Sequence, residues 1–518
     1  MEQDAVHSSG VGYFMAMNWA AASLWAALPL LVGFFWYSKI SLLQLLSKIV
    51  SSTAADGGTT SSRRGVVPKG NPSWPLIGET LDFIASGYSS RPVTFMLKRK
   101  ALYGKVFKTH ILGFPIIVST DAEVNKVILQ NQGNVFIPNY PKSISELLGE
   151  SSILQMNGSR HKKVHTIIAS FLKSPHFKSR ITSVIQHSVI RSLSAWSKMN
   201  QSCIYIQDET KKITFEVLVR VLMSLEPGEK LDTFRMEYME FIKGLICIPV
   251  KFPGTRLYKS LKAKERMLKM VDRIVEERKH TIINREETTA PSQDLVDVLL
   301  RESTADSDKL KRPPLKSISG NIIEMMIPGE DTVPTAMTLA IKFLSDCPIA
   351  LNQLVEENME FKKRKVQSGE PYTWTDYMSL QFTQNVINET LRMANIINAV
   401  WRKALKDVEI DGYIIPKGWC VVASFTSVHM EEEIYENPYQ FDPWRWERTG
   451  IANNNNLTPF GGGQRLCPGL ELSKLEISIF LHHLVTTYRW EAEADKIVNF
   501  PTVKMRNRLP IKVTPLLV

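Results

Sequence analysis

The sequence predicts a mainly helical protein with a smaller β-rich part, carried behind a single N-terminal transmembrane helix. Three observations lead there. Apolar residues recur at helical spacing over long stretches as far as about Ser379. Two shorter stretches, Lys105 to Thr120 and Ala399 to Val422, carry strand patterning and turn signals instead. Ser8 to Ser38 contains no charged residue at all.

Composition narrows the class. The 518 residues are 44% hydrophobic and 22% charged, ordinary values for a globular protein, and the net charge is +11. The length suits one large enzyme core. The positive balance points to an anionic membrane surface or an acidic protein partner. No nucleic-acid motif and no basic run interleaved with aromatics occurs, so nucleic acid is not an expected partner. Five cysteines, widely spaced and without a C-x-x-C pair, argue against a disulfide framework, zinc and c-type heme attachment. A reducing compartment follows.

Met15 to Tyr37 is almost wholly apolar and long enough to span a bilayer, which takes about 20 residues. Trp19, Trp36 and Tyr37 occupy interfacial positions. A cleaved signal would open on basic residues, whereas this one opens on Glu2 and Asp4. Lys39, Lys48, Arg63, Arg64 and Lys69 follow the span and place the bulk of the chain in the cytosol. The expected division is a lumenal 1–14, an anchor at 15–37, a linker and Pro-rich hinge at 38–75, and a catalytic domain at 76–518. Ser51 to Ser62 is the flexible part of that linker. Pro68, Pro72 and Pro75, in PKGNPSWPLIGET, stiffen its exit.

Beyond the hinge, KVFKTHILGFPIIVST reads as a hairpin turning at Gly113. Ser317 to Asp346 reads as one long helix with PGEDTVP in its middle. Pro328 and Pro334 each remove a backbone donor, from the carbonyls of Glu324 and Glu330, and open a groove where polar groups cluster. Around Gln381 to Met393 a further helix puts Glu389 and Arg392 three residues apart on one face. Turns at Asp411-Gly412 and Lys417-Gly418 punctuate the second β-rich stretch, and FDPWRWER follows it with Arg445. Last comes Pro459 to Leu472, PFGGGQRLCPGLEL, leading into a helix from about Leu470 to Trp490. Three glycines let its backbone approach something flat. Cys467 stands beside Arg465, with Pro468 at a first helical position, where a thiol is held as thiolate. A thiolate facing such a slot is an axial iron ligand, and Phe460 can shield it.

These residues carry a resemblance. Phe460, Gly463, Arg465, Cys467 and Gly469 match F-x-x-G-x-R-x-C-x-G, the heme-binding signature of cytochrome P450. Gly329, Asp331 and Thr332 match its oxygen-activation motif A/G-G-x-D/E-T, with Pro328 departing from the usual small residue. Glu389, Arg392 and Arg445 match its E-x-x-R pair and the later arginine. The resemblance implies the cytochrome P450 fold and a heme, iron protoporphyrin IX, with Cys467 as its metal ligand. Arg465, Phe460 and Arg402 would help hold that heme. His161 and His165 stand where the family has W-x-x-x-R. Thr332, with Asp331 and Glu330 beside it, would handle dioxygen and protons. Glu389, Arg392 and Arg445 would position the cysteine loop.

NPSWPLIGET, FPGTRLYKSLKAKERM, WTDYMSL, IPKGWCVVASFTSVH and IFLHHLV are similar to the plant brassinosteroid and sterol side-chain hydroxylases, the members acting at carbons 22 and 23. That implies a sterol or steroid substrate, dioxygen, NADPH-cytochrome P450 reductase as electron donor, and the endoplasmic reticulum membrane. The reductase would meet Lys162 and Lys163. Pocket positions by the same resemblance are Phe136, Tyr140, Met325, Met326, Ile396, Ala399, Thr502 and Val503. Three alternatives stand beside this reading: a hydroxylase of cholesterol-like sterols in saponin or alkaloid formation, a heme-thiolate isomerase or dehydratase that uses no dioxygen, and a non-catalytic heme-binding membrane protein.

Overall fold

Helical periodicity becomes helix over most of the chain. The computed structural model describes residues 65–516 apart from 72–76, 90, 112, 132, 150, 198–202, 285–293, 305–314 and 451–455. The expected lumenal segment, the anchor and all of the linker and hinge except 65–71 lie outside the described residues. Among those described, no helix is long and apolar enough to cross a membrane.

Strands β1 (Val106–Ile111) and β2 (Phe114–Ser119) form the expected hairpin, with Gly113 at φ +80° between them. β3 (Phe136–Pro138), β5 (Ala399–Ala404) and β8 (Cys420–Ser424) complete a five-stranded sheet ordered β1-β2-β8-β5-β3, in which β2 and β8 run parallel. The second β-rich stretch thus divides. β5 and β8 join the sheet, while β6 (Val408–Ile410) and β7 (Tyr413–Ile415) make a separate hairpin. Asp411 and Gly412 both take positive φ there, the two-residue turn that matches strand twist.

Gly78, at the end of the Pro-rich hinge, bridges to Ile111 on the edge of β1. A Cβ at Gly78 would lie 2.2 Å from the His110 carbonyl oxygen, so only glycine lets the chain cross there.

Two helix expectations need correction. The segment from Ser317 to Asp346 is two helices, Leu315–Met325 and Ile327–Asp346. The C-terminal helix is Leu470–Val485 rather than reaching Trp490. Tyr488–Ala492 is β9, paired antiparallel with β12 (Pro510–Pro515), which also pairs with β4 (Ile204–Tyr205), while β10 (Ile497–Val498) and β11 (Lys504–Met505) pair with each other. Its alternation of buried Tyr488 with exposed Arg489 and Glu491 is a strand pattern, and the pairing partner lies at the far end of the chain.

The Ile327–Asp346 helix is the hub of the core. It packs against the helices Ile206–Met223, Gln381–Ala394 and Leu470–Val485. Leu339, Ala340, Ile341 and Leu344 on it are fully buried with Leu475, Ile479 and Phe480. The helix bearing the oxygen-motif residues and the helix that follows Cys467 therefore share one apolar core.

Candidate active site

The cysteine loop is tied by its own backbone. The Cys467 N–H donates to the Phe460 carbonyl at 3.1 Å, closing the loop over two positive-φ glycines, Gly461 and Gly463. A Cβ at Gly463 would stand 2.1 Å from the Leu129 carbonyl oxygen, at the end of the Ala122–Gln130 helix. The close approach that requires this glycine is thus to a neighbouring helix end. Phe460 is half-buried against the main core.

Burial raises the Cys467 thiol, and the Gly469 amide hydrogen bond partly offsets it. Arg465 does not hold the thiolate as expected. Its guanidinium donates to the carbonyls of Leu154 (3.2 Å) and Met156 and to Asn157 Oδ1 (3.3 Å). Pro468 is also displaced from its expected place, because the helix starts two residues later, at Leu470 behind Gly469. A bound iron would supply the deprotonation of Cys467, because a coordinating metal ion strips a thiol outright.

Beside this loop stand two guanidiniums and a buried histidine with no carboxylate counter-charge among the described residues. Arg402, on β5, is 4% exposed, and among the described residues its Nε has no partner and its guanidinium makes one hydrogen bond, to the Trp401 carbonyl at 3.0 Å. Burial works against the charge of Arg402 and of Arg465 alike. A guanidinium stays charged regardless. His161, on the Gly158–Lys173 helix, is pushed down to about 4 by burial and then by Arg465, His165 and Arg402. Among the described residues no ion pair joins any of them to a carboxylate. An orphaned buried guanidinium is costly, and two propionates answer it. The donor set fits heme: one sulfur, and cations for the carboxylates.

His165 has a different place. Its Nε2–H donates to the Leu466 carbonyl at 2.8 Å, which makes it a brace for the cysteine loop. Tyr140, expected in the pocket, is half-buried and acts electrostatically on both Arg402 and Arg465, on the cation side.

Ahead of the Ile327–Asp346 helix, which packs against the helix after Cys467, the chain breaks at Met326, before Pro328. The N–H groups of Met326 and Gly329 reach back only three residues, to the carbonyls of Ile323 (3.2 Å) and Met326 (3.1 Å). Pro328 then enters the next helix in its first turn, where a missing N–H is tolerated, and Pro334 lies inside it. Glu330, Asp331 and Thr332 follow on the first turns, with Thr332 half-buried. Lys211, on the Ile206–Met223 helix, reaches both carboxylates: its Nζ is 3.0 Å from Asp331 Oδ1 and 3.6 Å from Glu330 Oε1. Sequence reasoning missed this lysine. Its one signal is a shared helical face with Thr214 and Leu218, three and seven residues on, which turns toward the core.

Glu389 and Arg392 are both fully buried. Arg392 makes a two-pronged contact to Glu389 (3.0 and 2.8 Å), Arg445 Nε stands 3.5 Å from Glu389 Oε1, and the Asp442 N–H donates to the same oxygen at 3.2 Å. Arg392 also donates to the His429 carbonyl at 2.8 Å, and the His429 Nε2 accepts from the Thr458 N–H at 3.0 Å. The network therefore runs into the strand of chain that leads to Pro459.

The expected pocket residues divide. Ala399 and Val503 line one cavity of about 60 Å³ together with Asn395, Phe83, Met96 and Phe500. Ile396 and Met325 are half-buried at the rim of the core, and Met326 is wholly inside it. Phe136 is 0% exposed within the sheet's own core, beside Ile128, Ala404 and Val421, so it packs the sheet. Thr502 is exposed, because its neighbour Val503 takes the inward position.

A family model, Cytochrome P450, matches residues 68–514. Two 3-epi-6-deoxocathasterone 23-monooxygenases of Arabidopsis thaliana are similar to this chain. One is 67% identical over 453 residues, covering 87% of this chain and 85% of that protein. The other is 51% identical, covering 88% and 90%. Among solved structures, the retinoic acid-bound cyanobacterial CYP120A1 shares the fold with a TM-score of 0.73 at 23% identity, over 87% of this chain and all of that one. A cysteine loop, a broken helix packed against the helix that follows it, and a buried three-residue ion network on that fold, under a family match spanning most of the sequence, lead to one statement: the chain belongs to the cytochrome P450 family, and heme is its cofactor.

Proposed function

We propose that this chain hydroxylates the side chain of a brassinosteroid precursor at carbon 23, as a membrane-anchored monooxygenase of the endoplasmic reticulum. The observation that carries the reading is the 67% identity to a 3-epi-6-deoxocathasterone 23-monooxygenase across most of both chains. Heme bound through a thiolate supplies activation of dioxygen for insertion of one oxygen atom into an unactivated C–H bond.

The chain's own residues do the rest. Cys467 Sγ would hold the iron, and Arg402, Arg465 and His161 would take the propionates. Thr332 Oγ1 passes protons toward the oxygen atom that leaves as water, and Asp331 resupplies them. Met325, Ile396, Ala399 and Val503 provide an apolar wall that orients a steroid and excludes water. At about 60 Å³ the cavity beside Ala399 is smaller than a ligand pocket of about 300–1,000 Å³, so a steroid enters only as its walls part. Electrons come from NADPH through a flavoprotein reductase. The positive balance of the chain and the outward Lys162 and Lys163, on the helix that carries His161, support an acidic partner there.

The test is incubation of heme-loaded protein with reductase, NADPH and a panel of steroids, 3-epi-6-deoxocathasterone among them, read by mass spectrometry. The expected product is the 23-hydroxy steroid. Oxidation at another carbon, or no oxidation of any panel member while the reduced carbon-monoxide spectrum shows thiolate ligation, overturns the substrate.

A further inference from the structure

The sequence holds a single Asn-Gly pair, Asn157-Gly158, and the fold sets it against the cysteine loop. Both residues are exposed, at the entry to the Gly158–Lys173 helix that carries His161 and His165. Asn157 Oδ1 accepts from an Arg465 guanidinium N–H at 3.3 Å, and its Nδ2 donates to the Gln155 carbonyl at 3.1 Å. The side chain therefore does not cap the helix whose N-cap position it occupies. Gly158, at φ +60°, has open space where a Cβ would stand. Its N–H opens the helix, where no earlier turn offers a carbonyl, and it makes no hydrogen bond among the described residues.

An asparagine before such a glycine has a reaction available within its own chain. The Gly158 nitrogen gives its proton to hydroxide and bonds to Asn157 Cγ, closing an imide ring. With no Cβ in the way, glycine lets the two atoms meet. Charge builds on Oδ1 as the bond forms, where the Arg465 N–H already stands to stabilise it. Nδ2 takes a proton from water and leaves as ammonia. Water then opens the ring. Breaking the bond from nitrogen to Cγ gives aspartate; breaking the bond from nitrogen to the Asn157 backbone carbonyl carbon gives isoaspartate, with the chain rerouted through Cγ. The balance is asparagine plus water giving aspartate or isoaspartate plus ammonia, with nothing oxidised or reduced.

We propose that Asn157 is a site of spontaneous conversion to aspartate and isoaspartate, and that the carboxylate so formed draws Arg465 away from heme propionates. Two features favour the anion there: the Arg465 guanidinium on one side, and the opening turn of the Gly158–Lys173 helix on the other. Among the described residues it is the first carboxylate that the polypeptide offers to Arg465. It holds that arginine more strongly than a neutral amide does, and it repels propionates as a like charge. In isoaspartate the extra backbone atom falls at the entry to the helix that carries His161. The same helix braces the Leu466 carbonyl through His165, so the displacement reaches the cysteine loop. The inference rests on heme as the cofactor and not on which steroid is oxidised.

The test incubates the heme-loaded full chain at mildly alkaline pH, cleaves it after lysine and arginine, and weighs the fragments. Asn157 falls in the fragment Ser143 to Arg160, SISELLGESSILQMNGSR, which holds no other asparagine. That fragment should gain about 1 Da on residue 157, split between two isomers, and sooner than fragments holding the other exposed asparagines. In Asn157→Gln it should keep its mass over the same time. A parent fragment that keeps its mass, or gains it no sooner than the others, overturns the site. The second measurement is heme transfer to an acceptor protein from Asn157→Asp and from Asn157→Ser, the latter an uncharged helix cap. Asn157→Asp should release heme about two- to fivefold faster than the parent, by a margin that shrinks at high salt, and Asn157→Ser at the parent's rate. Equal rates in the two variants, or a margin that salt leaves unchanged, overturn the consequence for heme. Neither measurement uses a steroid, so both are decided even where the substrate proposal fails.

Discussion

Two buried arginine clusters flank the cysteine loop, and they differ in one respect. Around Glu389 the charges are answered: Arg392 and Arg445 share its carboxylate, Asp442 stands 4.0 Å from Arg445, and both guanidiniums lie toward the Tyr435 ring, with their centres at 5.1 and 5.9 Å. Around Arg402 they are not, since Arg465 and His161 only add positive or chargeable groups. A network whose charges meet carboxylates of the polypeptide serves to hold it together, even with Arg445 Nη2 left without a hydrogen-bond partner. An open one is completed by a ligand of opposite charge. The contrast separates structural arginines from cofactor-binding ones where exposure cannot, because both kinds are buried.

The largest way to break the contrast is Glu389→Ala. It strands Arg392 and Arg445 in the core, and losing one partner of a buried pair costs about 3–5 kcal/mol. Thermal unfolding should show that loss with and without heme. If Glu389→Ala weakens heme retention but leaves heme-free stability intact, the closed network is not structural.

Arg402→Leu should behave in the opposite way. Heme-free protein loses an unpaired buried charge and keeps or gains stability. Heme-loaded protein loses a charge-assisted hydrogen bond worth about 1.5–3 kcal/mol, so heme transfer to an acceptor protein quickens by about ten- to a hundredfold. Equal losses of stability in both forms would mean that Arg402 is a packing residue.

Glu476 sharpens the comparison with a third kind of group, a buried acid with no ion-pair partner among the described residues. It lies on the Leu470–Val485 helix, 5% exposed, with Oε1 unpaired, and burial pushes it up to about 8. The unfolded chain ionises this group near 4.5, so folding favours its protonated form. Its contribution is full below about pH 4.5 and is lost as the pH rises toward 8. The melting temperature of the parent should therefore fall more steeply over about pH 5–8 than that of Glu476→Gln. Parallel curves would show that Glu476 stays ionised inside the fold.

What the sequence made legible follows the same division. Short-range chemistry could be read directly: the glycines and cysteine of residues 461–469, the Glu389/Arg392 spacing, the turns at Gly113 and Asp411-Gly412. Contacts set by distant partners could not. Residues 488–492 continue a helical run in apolar content, and only β12 makes them a strand. Tyr140 and Phe136 stand four residues apart, yet one faces the cations and the other the interior of the sheet. Lys211 finds Asp331 across 120 residues. The prolines marked the broken helix, but the missing ladder bonds fall at Met326, because a proline in a first helical turn starts a helix rather than ending one.

The smallest expected effect tests the open cluster through its weakest member. In heme-free protein, burial and the fields of Arg465, His165 and Arg402 keep His161 neutral down to about pH 4. Bound propionates would reverse the sign of that field and raise the histidine toward its ordinary value of 6.5. A raised pKa takes up protons, which offsets part of the proton that Cys467 gives up on binding iron. The offset is a fraction of a proton, measurable as the difference between the parent and His161→Gln in the dependence of heme-binding heat on buffer ionisation enthalpy, and the parent should release fewer protons over about pH 5–7. A His161→Gln variant that releases no more protons than the parent would place the propionates away from this cluster and leave the charges of Arg402 and Arg465 to be answered by something else.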